Sequence, residues 1–454
     1  MTNFVPAETL HRLVKHAIDS GAAESLADAE ALFRRYRLHI AVPTGVEADP
    51  VQQAALLTAV ALGRRVFLGG VTVGGGLDAD LAVPLPLVRT LADAVCSLGG
   101  SPSGSANGAP TVIIGGDPSG RREGFCVRTA AAGWRGGIVP AHSELVPAPG
   151  PAMPLAGMLS AALAVNEAYL FLNGSVPAAG RRAVGLSLWS PGPGTDWLAA
   201  DEEPGLTYLP SRLWLIGLGH LGQAYLWALG LLPFAKPGEV SLVLQDIDVI
   251  SPSTESTSIL TDAGLVGQKK TRAMAVWAEK RGFETIIQER LFDASFRRQA
   301  EEPTVALCGL DNAAGRRVLD QVGFDFVVEA GLGSGHRDFR TMRLHVLPGA
   351  RSAAEIWKAA PATETVEERP AYARLLADGV LDRCGMTLLA GKAVGAPFVG
   401  AVAATLAVSE VLRLLHGGPI HRLVDLDLLS PDQRVVSLHA GDFRSLNPGF
   451  TLAS

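Results

Sequence analysis

The chain has 454 residues, of which 48% are hydrophobic and 19% charged, and this is enough for two or three domains with substantial cores. A formal net charge of −6 and the absence of a long Lys/Arg run argue against a nucleic-acid partner. The four cysteines, Cys96, Cys126, Cys308 and Cys384, include no CxxC pair, so composition favours neither a disulfide framework nor a zinc site and predicts a reducing cytoplasm.

No segment predicts a membrane protein. The N-terminal residues MTNFVPAETLHRLVKHAIDS are amphipathic and lack the apolar centre of a signal peptide. Pro397–Leu415 is long and apolar, but Glu410 and Arg413 lie inside it. We therefore expect a buried helix there and no membrane partner.

The first half of the chain alternates between helical and strand patterns. In order, the pattern predicts two helices within residues 5–37 (the second Leu26–Arg37), a strand Leu38–Val42, a helix Pro50–Leu62, strands Arg65–Leu68 and Thr111–Ile114, and a helix within 154–174. Residues 97–110 are rich in Gly, Ser and Pro and predict a loop. Such alternation is typical of a parallel sheet flanked by helices.

An internal repeat links the two halves. PLAGMLSAALAVNEAYLFLNG (154–174) matches PFVGAVAATLAVSEVLRLLHG (397–417), and each is preceded by an apolar strand that ends in an acid, Asp117 or Asp311. This predicts two tandem α/β domains, residues 1–203 and 204–454, joined within the Pro/Gly/Ser-rich stretch 189–210. Because strand 38–42 runs into Pro-Thr-Gly without GxGxxG, we expect the first copy to be degenerate and catalytically silent.

The second copy carries a glycine-rich loop in a strand–helix–strand context. The strand Leu213–Ile216 runs into Gly217, Gly219 and Gly222 of a GxGxxG pattern, which a helix (Gln223–Leu232) follows. The next strand, Val240–Leu244, ends at Asp246 and Asp248. Such glycines let the backbone approach a phosphate at a helix N-terminus, so the segment predicts a nucleotide site. The alternative is a Gly-rich packing turn.

Two further charges suit a triphosphate with a metal ion. Lys270 opens an amphipathic helix (Thr271–Arg281) and would act as a point charge on phosphate, while Asp311 ends the VALCGLD strand and would reach Mg²⁺. The alternatives are a solvated helix start for Lys270 and an N-cap or turn acid for Asp311.

Taken in order, these motifs resemble the ThiF-like adenylating enzymes, which include ubiquitin-activating enzymes and the activators of sulfur-carrier proteins. The likeness covers residues 205–350 and 385–430 well and the first half more faintly. It implies two Rossmann-like ThiF-type domains that pair as an internal pseudo-dimer. It also implies that Gly217, Gly219, Gly222 and Lys270 bind the ATP phosphates. Asp246, with Asp248 beside it, would bind the ribose, and Asp311 would hold magnesium.

The chain departs from this family in two places. Where the family usually carries Asn-x-x-Arg-Gln, residues 254–258 read Thr-Glu-Ser-Thr-Ser, so a phosphate-binding arginine is missing. In paired members an arginine arrives from the partner half, so Arg34, Arg35 or Arg37 is a candidate replacement; a solvated helix end is the alternative. The paired zinc cysteines of many sulfur-carrier activators are also absent, which favours a ubiquitin-type activator.

Cys384 is the only cysteine in the region where ubiquitin-activating enzymes carry their thioester-forming residue. It lies in an inserted crossover segment (about 350–390), and a helix beginning near Gly385, with Arg383, would favour its thiolate. A small buried hydrophobe is the alternative. We interpret Cys308 as a core residue, Cys96 and Cys126 as residues of the silent half, and His220 as a turn residue rather than a base.

The resemblance thus implies ATP-dependent activation of a ubiquitin-like protein, a thioester on Cys384, and transfer to a conjugating enzyme. The size and the degenerate first copy resemble the activating subunit of bacterial ubiquitin-like conjugation operons, some of which act in antiviral defence. One alternative is an adenylating enzyme for a sulfur carrier or peptide, without the thioester step. The other is a nicotinamide-dependent oxidoreductase or a dinucleotide-binding scaffold.

Overall fold

The structure is a computed structural model that describes residues 6–120, 123–358, 370–377, 388–443 and 445–454. The helices are α1 (Pro6–Thr9), α2 (Val14–Asp19), α3 (Leu26–Arg35), α4 (Pro50–Val66), α5 (Leu91–Ser97), α6 (Pro154–Leu172), α7 (His220–Leu231), α8 (Pro252–Glu255), α9 (Lys270–Lys280), α10 (Ala313–Arg316), α11 (Ala353–Ile356), α12 (Pro370–Ala377) and α13 (Pro397–Leu415). Short 3₁₀ turns span Pro237–Glu239 and Ala263–Leu265.

A seven-stranded sheet forms the centre of what we call the first half. Its strands are β1 (Leu38–Val42), β2 (Val71–Gly75), β3 (Gly100–Pro102), β4 (Thr111–Ile113), β5 (Cys126–Ala132), β6 (Arg135–Pro140) and β7 (Val184–Ser187). They lie in the order β3-β2-β1-β4-β5-β6-β7. The first five run parallel and the last two are antiparallel, which confirms the predicted parallel sheet flanked by helices.

An eight-stranded sheet forms the centre of the second half. Its strands are β9 (Arg212–Ile216), β10 (Ser241–Gln245), β11 (Glu284–Gln288), β12 (Val305–Cys308), β13 (Phe326–Leu332), β14 (Thr341–Leu347), β15 (His421–Asp427) and β16 (Val435–Leu438). The order β11-β10-β9-β12-β13-β14-β15-β16 repeats that of the first sheet with one strand added at the end. A small separate sheet joins β8 (Tyr208–Pro210) to β17 (Phe450–Leu452).

One predicted strand is wrong. Arg65–Leu68 was expected to be extended, but Arg65 lies in the last turn of α4, and the strand comes later, at Val71–Gly75. Helix α4 is buried on nearly every side, so its sequence has no polar face that would mark its end. The apolar residues at the end of the helix therefore resemble a strand.

Four apolar helices, α4 and α6 from the first half and α7 and α13 from the second, pack into one continuous core. The indole of Trp227 on α7 donates to Thr58 on α4 at 2.9 Å, and Asn166 on α6 donates to the Leu428 carbonyl at 3.0 Å. α6 and α13 are long and apolar enough to span a membrane, but 89% of each is buried inside the protein. The predicted buried helix at Pro397–Leu415 is thus confirmed.

The linker between the two halves is fixed to the first half by a buried ion pair. Glu203 accepts bonds from the Arg135 guanidinium at 2.9 Å and from the Trp134 amide at 3.0 Å, so the chain up to Glu203 packs on the first half. By Tyr208 it pairs with β17. The assignment of residues 1–203 and 204–454 to separate domains stays a prediction.

Candidate active site

The glycine loop of residues 217–222 is built for close backbone approach. Gly217 has φ +81°, and a Cβ there would lie 3.0 Å from the Gly309 carbonyl group, while a Cβ at Gly222 would lie 2.0 Å from the Gly217 carbonyl oxygen. At Gly219 the surroundings are open, since a Cβ would meet only the Lys270 Nζ, at 4.0 Å. Helix α7 begins immediately afterwards, so its N-terminal amides and its partial positive charge face this open side.

Asp246 holds this loop in place. It follows β10, which lies beside β9, and its Oδ2 accepts the Leu218 amide at 2.7 Å. Its Oδ1 accepts the amide of Asp248 at 2.8 Å, which fixes the turn that presents the second carboxylate. The Asp248 side chain is 62% exposed whereas that of Asp246 is 8% exposed. Asp246 therefore shapes the loop, and Asp248 offers its carboxylate to solvent.

Lys270 brings the positive charge to this pair. Its Nζ lies 2.8 Å from Asp248 Oδ2 and 3.7 Å from Asp246 Oδ2. Burial by itself would lower the pKa of Lys270, but the neighbouring carboxylates of Asp246, Asp248 and Asp311 outweigh it and raise the pKa above its ordinary value. Lys270 therefore stays charged at neutral pH, and the alternative of a solvated helix start does not describe a side chain that is 13% exposed.

Asp311 completes the group. Its strand, β12, pairs with β9, so the segment Gly309–Asp311 runs alongside the glycine loop. The neighbouring Asn312 caps α10 by accepting the Gly315 amide at 2.7 Å, which leaves the exposed Asp311 carboxylate outside the cap. Asp311 interacts electrostatically with both Lys270 and Arg12. Asp246, Lys270 and Asp311 thus meet at the carboxyl ends of adjacent strands, where open α/β sheets bind ligands.

An arginine from the first half, Arg12, reaches this edge. Its amide donates to Ser256 Oγ at 3.1 Å, and its guanidinium lies 3.4 Å from Ser253 Oγ. Burial lowers the pKa of Arg12, and the carboxylates of Asp311 and Glu8 oppose this change. An N-terminal residue therefore stands beside the segment from which the expected arginine is missing.

Among the contacts of the described residues, none joins the candidates Arg34, Arg35 and Arg37 to the glycine loop, Lys270 or Asp311. They flank the start of β1, at the amino edge of the first sheet, and line a cavity of about 360 Å³ with residues 107–110 and Leu172. Arg34 pairs with Glu30 at 2.9 Å. The exposed Arg34 side chain fits the other interpretation of this cluster, a solvated helix end. The sequence marks the cluster of charges, but it does not give the distance between that cluster and the second sheet.

A magnesium ion fits the residues at this edge. Among the described residues there is no group of three or more His, Cys, Asp or Glu side chains arranged to hold a metal. Mg²⁺ does not need one, because in nucleotide sites it takes one or two carboxylates, phosphate oxygens and water. The exposed carboxylate of Asp311, beside Lys270, satisfies that requirement.

The chain is similar to the bacterial E1-like protein BilD of Collimonas sp. (strain OK412). It is 46% identical over 414 residues, which cover 90% of this chain and 89% of the relative.

The chain belongs to the BilD family of bacterial E1-like proteins.

Two family models agree with this assignment: the BilD N-terminal domain matches residues 37–188 and the BilD C-terminal domain matches residues 209–418. Membership of a bacterial E1-like family confirms the coarser part of the resemblance seen in the sequence. Among solved structures, E. coli MccB with ATP has a TM-score of 0.34 at 12% identity, over 51% of this chain and 65% of that chain. E. coli MccB with MccA-N7isoASN has a TM-score of 0.34 at 14% identity, over 50% and 64%. The chain therefore spans less than two thirds of MccB, and the assignment rests on BilD.

The remaining candidate residues of this chain lie in different places. Cys384 lies outside the described residues, as does Arg383. Cys308 is buried, and burial raises its pKa to about 12, which confirms a core residue. His220 is the first residue of α7 and is half-buried, with its ring against Gly400 of α13; burial of the ring lowers its pKa to about 4. A neutral, enclosed imidazole fits the prediction that His220 is not the base.

Sequence reasoning missed Arg12, Arg64 and Arg65. Each is a basic residue on or near an amphipathic or apolar helix in the first half, where a solvated helix end is the usual interpretation. The missing positive charge at residues 254–258 was the signal that a cation must come from elsewhere, but no pattern in the chain shows which one.

Proposed function

We propose that this BilD-family protein uses ATP to activate the C-terminal carboxylate of a ubiquitin-like protein as an acyl-adenylate. The observation that carries the proposal is the convergence of an open glycine loop, Lys270, Asp248 and Asp311 within one edge of the second sheet. A dehydrogenase-type site needs the loop and an acid, but it has no use for a buried lysine surrounded by three carboxylates.

In this proposal each group has one task. The loop amides around Gly219 and the Lys270 ammonium hold the phosphates, and Asp246 and Asp248 bind ribose hydroxyls. Asp311 would hold Mg²⁺, which when bound neutralises charge on the phosphates. A carboxylate oxygen of the partner's C-terminus attacks the α-phosphorus, and the bond from that phosphorus to the bridging oxygen of pyrophosphate breaks. Since the nucleophile is already an anion, positioning and charge stabilisation suffice and no general base is required.

Arg12 takes the place of the arginine that residues 254–258 lack. Support comes from its position beside Ser253, Ser256 and Asp311. Its guanidinium would neutralise charge on the phosphates as the pyrophosphate leaves. In the same proposal the two halves act as a fused pair of ThiF-type domains, in which the first half supplies this arginine and supports the second.

The first half would have no nucleotide of its own. At the end of β1, Glu47 accepts the Gly45 amide and lies beside Gly76, so a carboxylate stands where the second half has its glycine loop. A negative charge at this position repels phosphate. This supports the predicted silent role.

The steps after adenylation are proposed from the resemblance to ubiquitin-activating enzymes. Cys384 would attack the acyl-adenylate, releasing AMP and giving a thioester that passes to the cysteine of a conjugating enzyme. The setting would be the bacterial cytoplasm, in a conjugation system of the kind used against phage.

Pyrophosphate exchange into ATP, dependent on the ubiquitin-like protein, tests the adenylation step. Asp311→Asn should reduce the exchange rate about 100-fold or more, because it removes the charge that would hold the metal. Asp325→Asn is the matched control: it lies before β13, at the amino edge of the same sheet, and should exchange normally. Unchanged exchange in Asp311→Asn would refute the assignment.

The thioester step has its own test. Cys384→Ala should abolish a reductant-sensitive adduct with the ubiquitin-like protein while leaving pyrophosphate exchange intact. An adduct that persists would exclude Cys384, and exchange without any adduct in the unmodified protein would favour activation of a sulfur carrier or peptide. Tight NAD binding without ATP binding would replace the proposal with a dinucleotide-binding function.

A further inference from the structure

The end of α4, in the first half, enters the second half at residues 255–261. Arg65 is 4% exposed and donates from three nitrogens. Its Nε bonds the Glu255 carbonyl at 2.9 Å, and its Nη2 bonds the carbonyls of Ile259 at 2.9 Å and Thr261 at 2.6 Å. Its Nη1 bonds the Ala61 carbonyl of its own helix at 2.5 Å. One buried guanidinium thus fixes both ends of this segment.

Arg64 adds a second contact to the same segment. Its Nη2 forms an ion pair with Glu255 at 2.9 Å and donates to the Thr261 carbonyl at 3.0 Å. The side chains of Arg64 and Glu255 are 22% and 36% exposed, so this ion pair lies nearer the surface than the bonds of Arg65. We call Arg64 and Arg65 together the α4 clasp.

A chain of hydrogen bonds runs from the clasp to the glycine loop. Gln223 Oε1 accepts from the Thr261 hydroxyl at 3.0 Å and from the Leu260 amide at 3.1 Å. The same side chain donates through Nε2 to the Leu218 carbonyl, inside the loop, at 3.2 Å. Gln223 is fully buried, so its amide has no water to exchange with and depends on these partners.

A second chain runs from the clasp to Arg12. The carbonyl of Glu255 is held by Arg65, and the next residue, Ser256, accepts the Arg12 amide. On the other side, the His11 ring hydrogen-bonds the backbone of Arg65. Burial lowers the pKa of His11 to about 4, so the ring is neutral near pH 7 and this contact does not vary there.

We propose that Arg65, assisted by Arg64, is a positioning residue for the nucleotide site: it holds residues 255–261 so that the glycine loop and Arg12 face the same phosphates. The inference rests on the proposed function, because it assigns a role in that same site. It gives the silent half a second contribution besides Arg12. Arg65 lies too deep to touch substrate, so its effect passes through Gln223 and Ser256.

The test measures the dissociation constant of a fluorescent ATP analogue, the KM for ATP in pyrophosphate exchange, and the thermal unfolding midpoint. Arg65→Lys keeps the charge but cannot reach three carbonyls at once. It should weaken analogue binding about tenfold or more, the size expected when hydrogen bonds from a charged group are lost. Arg182→Met is the matched control, because Arg182 also joins the halves: it donates to the Leu429 carbonyl of the second half at 3.0 Å while it pairs with Glu167 of its own half at 2.7 Å. It should lower the unfolding midpoint while the KM for ATP stays unchanged.

Should Arg65→Lys fail to fold, the partly exposed pair provides the same test. Arg64→Met and Glu255→Gln should each weaken analogue binding, and the double variant should be no weaker than the worse single one, since both remove the same contact. Two single variants with unchanged binding would overturn the proposal.

The possible results distinguish a failure of the proposed function from a failure of the role assigned to the α4 clasp. Wild-type protein that binds neither ATP nor the analogue would overturn the proposed function and the clasp together. Wild-type protein that exchanges pyrophosphate, beside a folded Arg65→Lys with an unchanged dissociation constant and KM, would overturn the clasp alone. A folded Arg65→Lys that loses ATP affinity while Arg182→Met keeps it would support the clasp.

Discussion

At the scale of single residues, Lys270 is the positive charge that the carboxylates of the site surround. Its ammonium is mostly buried, and three carboxylates hold its charge, so a phosphate that enters must compete with Asp248 at 2.8 Å. We expect nucleotide binding to exchange this ion pair for contacts to phosphate. Asp248, the more exposed partner, would then be released to bind the ribose.

Lys270→Ala should therefore lower the rate of pyrophosphate exchange by about 100-fold, as expected when one preorganised charge is lost. Lys269→Ala is the matched control, because it removes the same charge from the neighbouring position, where the Nζ contacts the Ile247 carbonyl. A comparable loss in both variants would show that overall charge, and not the position of Lys270, determines the rate.

We expect His220 to make the stability of the fold sensitive to acid. Burial lowers its pKa to about 4, whereas the unfolded chain has an ordinary histidine pKa near 6.5. Above pH 6.5 both states are neutral and the stabilisation is complete; as the pH falls from about 6.5 towards 4, the unfolded state takes up the proton first, so the free energy of unfolding falls. His11 and His16, whose pKa values burial also lowers to about 4, add to the same trend.

Replacing His220 with Leu should reduce that acid sensitivity. The measurement is the urea midpoint at pH 7.5, 6.5 and 5.5, and the variant should lose less between the first and last values than the wild type does. His142→Leu alters an exposed histidine and should leave the pH dependence as it is. If the wild type and His220→Leu decline in parallel, another group is responsible.

At the scale of elements, two glycines set how closely the core helices pack. A Cβ at Gly157 on α6 would lie 2.2 Å from the Val51 carbonyl of α4, and a Cβ at Gly400 on α13 would lie 2.3 Å from the His220 ring of α7. The first contact is with backbone and the second with a side chain. In both repeated helices a glycine allows close packing, but the group that faces the glycine differs between the halves.

This difference predicts which substitution can be rescued. Gly157→Ala and Gly400→Ala should each lower the free energy of unfolding by about 1–3 kcal/mol through overpacking, although alanine favours the helix. Adding His220→Ala should restore stability to Gly400→Ala, because it removes the obstructing ring. No side-chain truncation should rescue Gly157→Ala. Chemical denaturation of Gly157→Ala and Gly400→Ala, each with and without His220→Ala, measures this. An equal effect of His220→Ala in the two backgrounds would contradict the prediction.

At the scale of the whole molecule, the two halves share one core. α6 and α13 are buried on all sides, partly against each other's half, so a half on its own would expose a long apolar helix. Cutting the chain after residue 206, between Glu203 and β8, should leave two fragments that are insoluble alone and co-purify when expressed together. Size-exclusion chromatography measures this. Soluble fragments that do not associate would show that the halves fold independently.

Features that depend on residues close together in the chain could be predicted from the amino-acid sequence. The order of the glycine loop, Asp246, Asp248, Lys270 and Asp311 follows from strand, turn and helix patterns, and consecutive parallel strands bring such residues to one sheet edge without further information. The repeat of α6 in α13 was visible for the same reason, because similar burial demands similar apolar sequences.

The positions of Arg12 and Arg65 beside the second half became visible only in the folded chain. Arg12 and Arg65 lie within a few ångströms of residues about 190 to 240 positions further along the chain, and that proximity comes from the packing of α4, α6, α7 and α13. Arg34, Arg35 and Arg37 were just as basic and stood closer to a recognisable helix end. Charge can be counted along a chain, but a guanidinium acts only across a hydrogen-bond distance, and that distance exists only after folding.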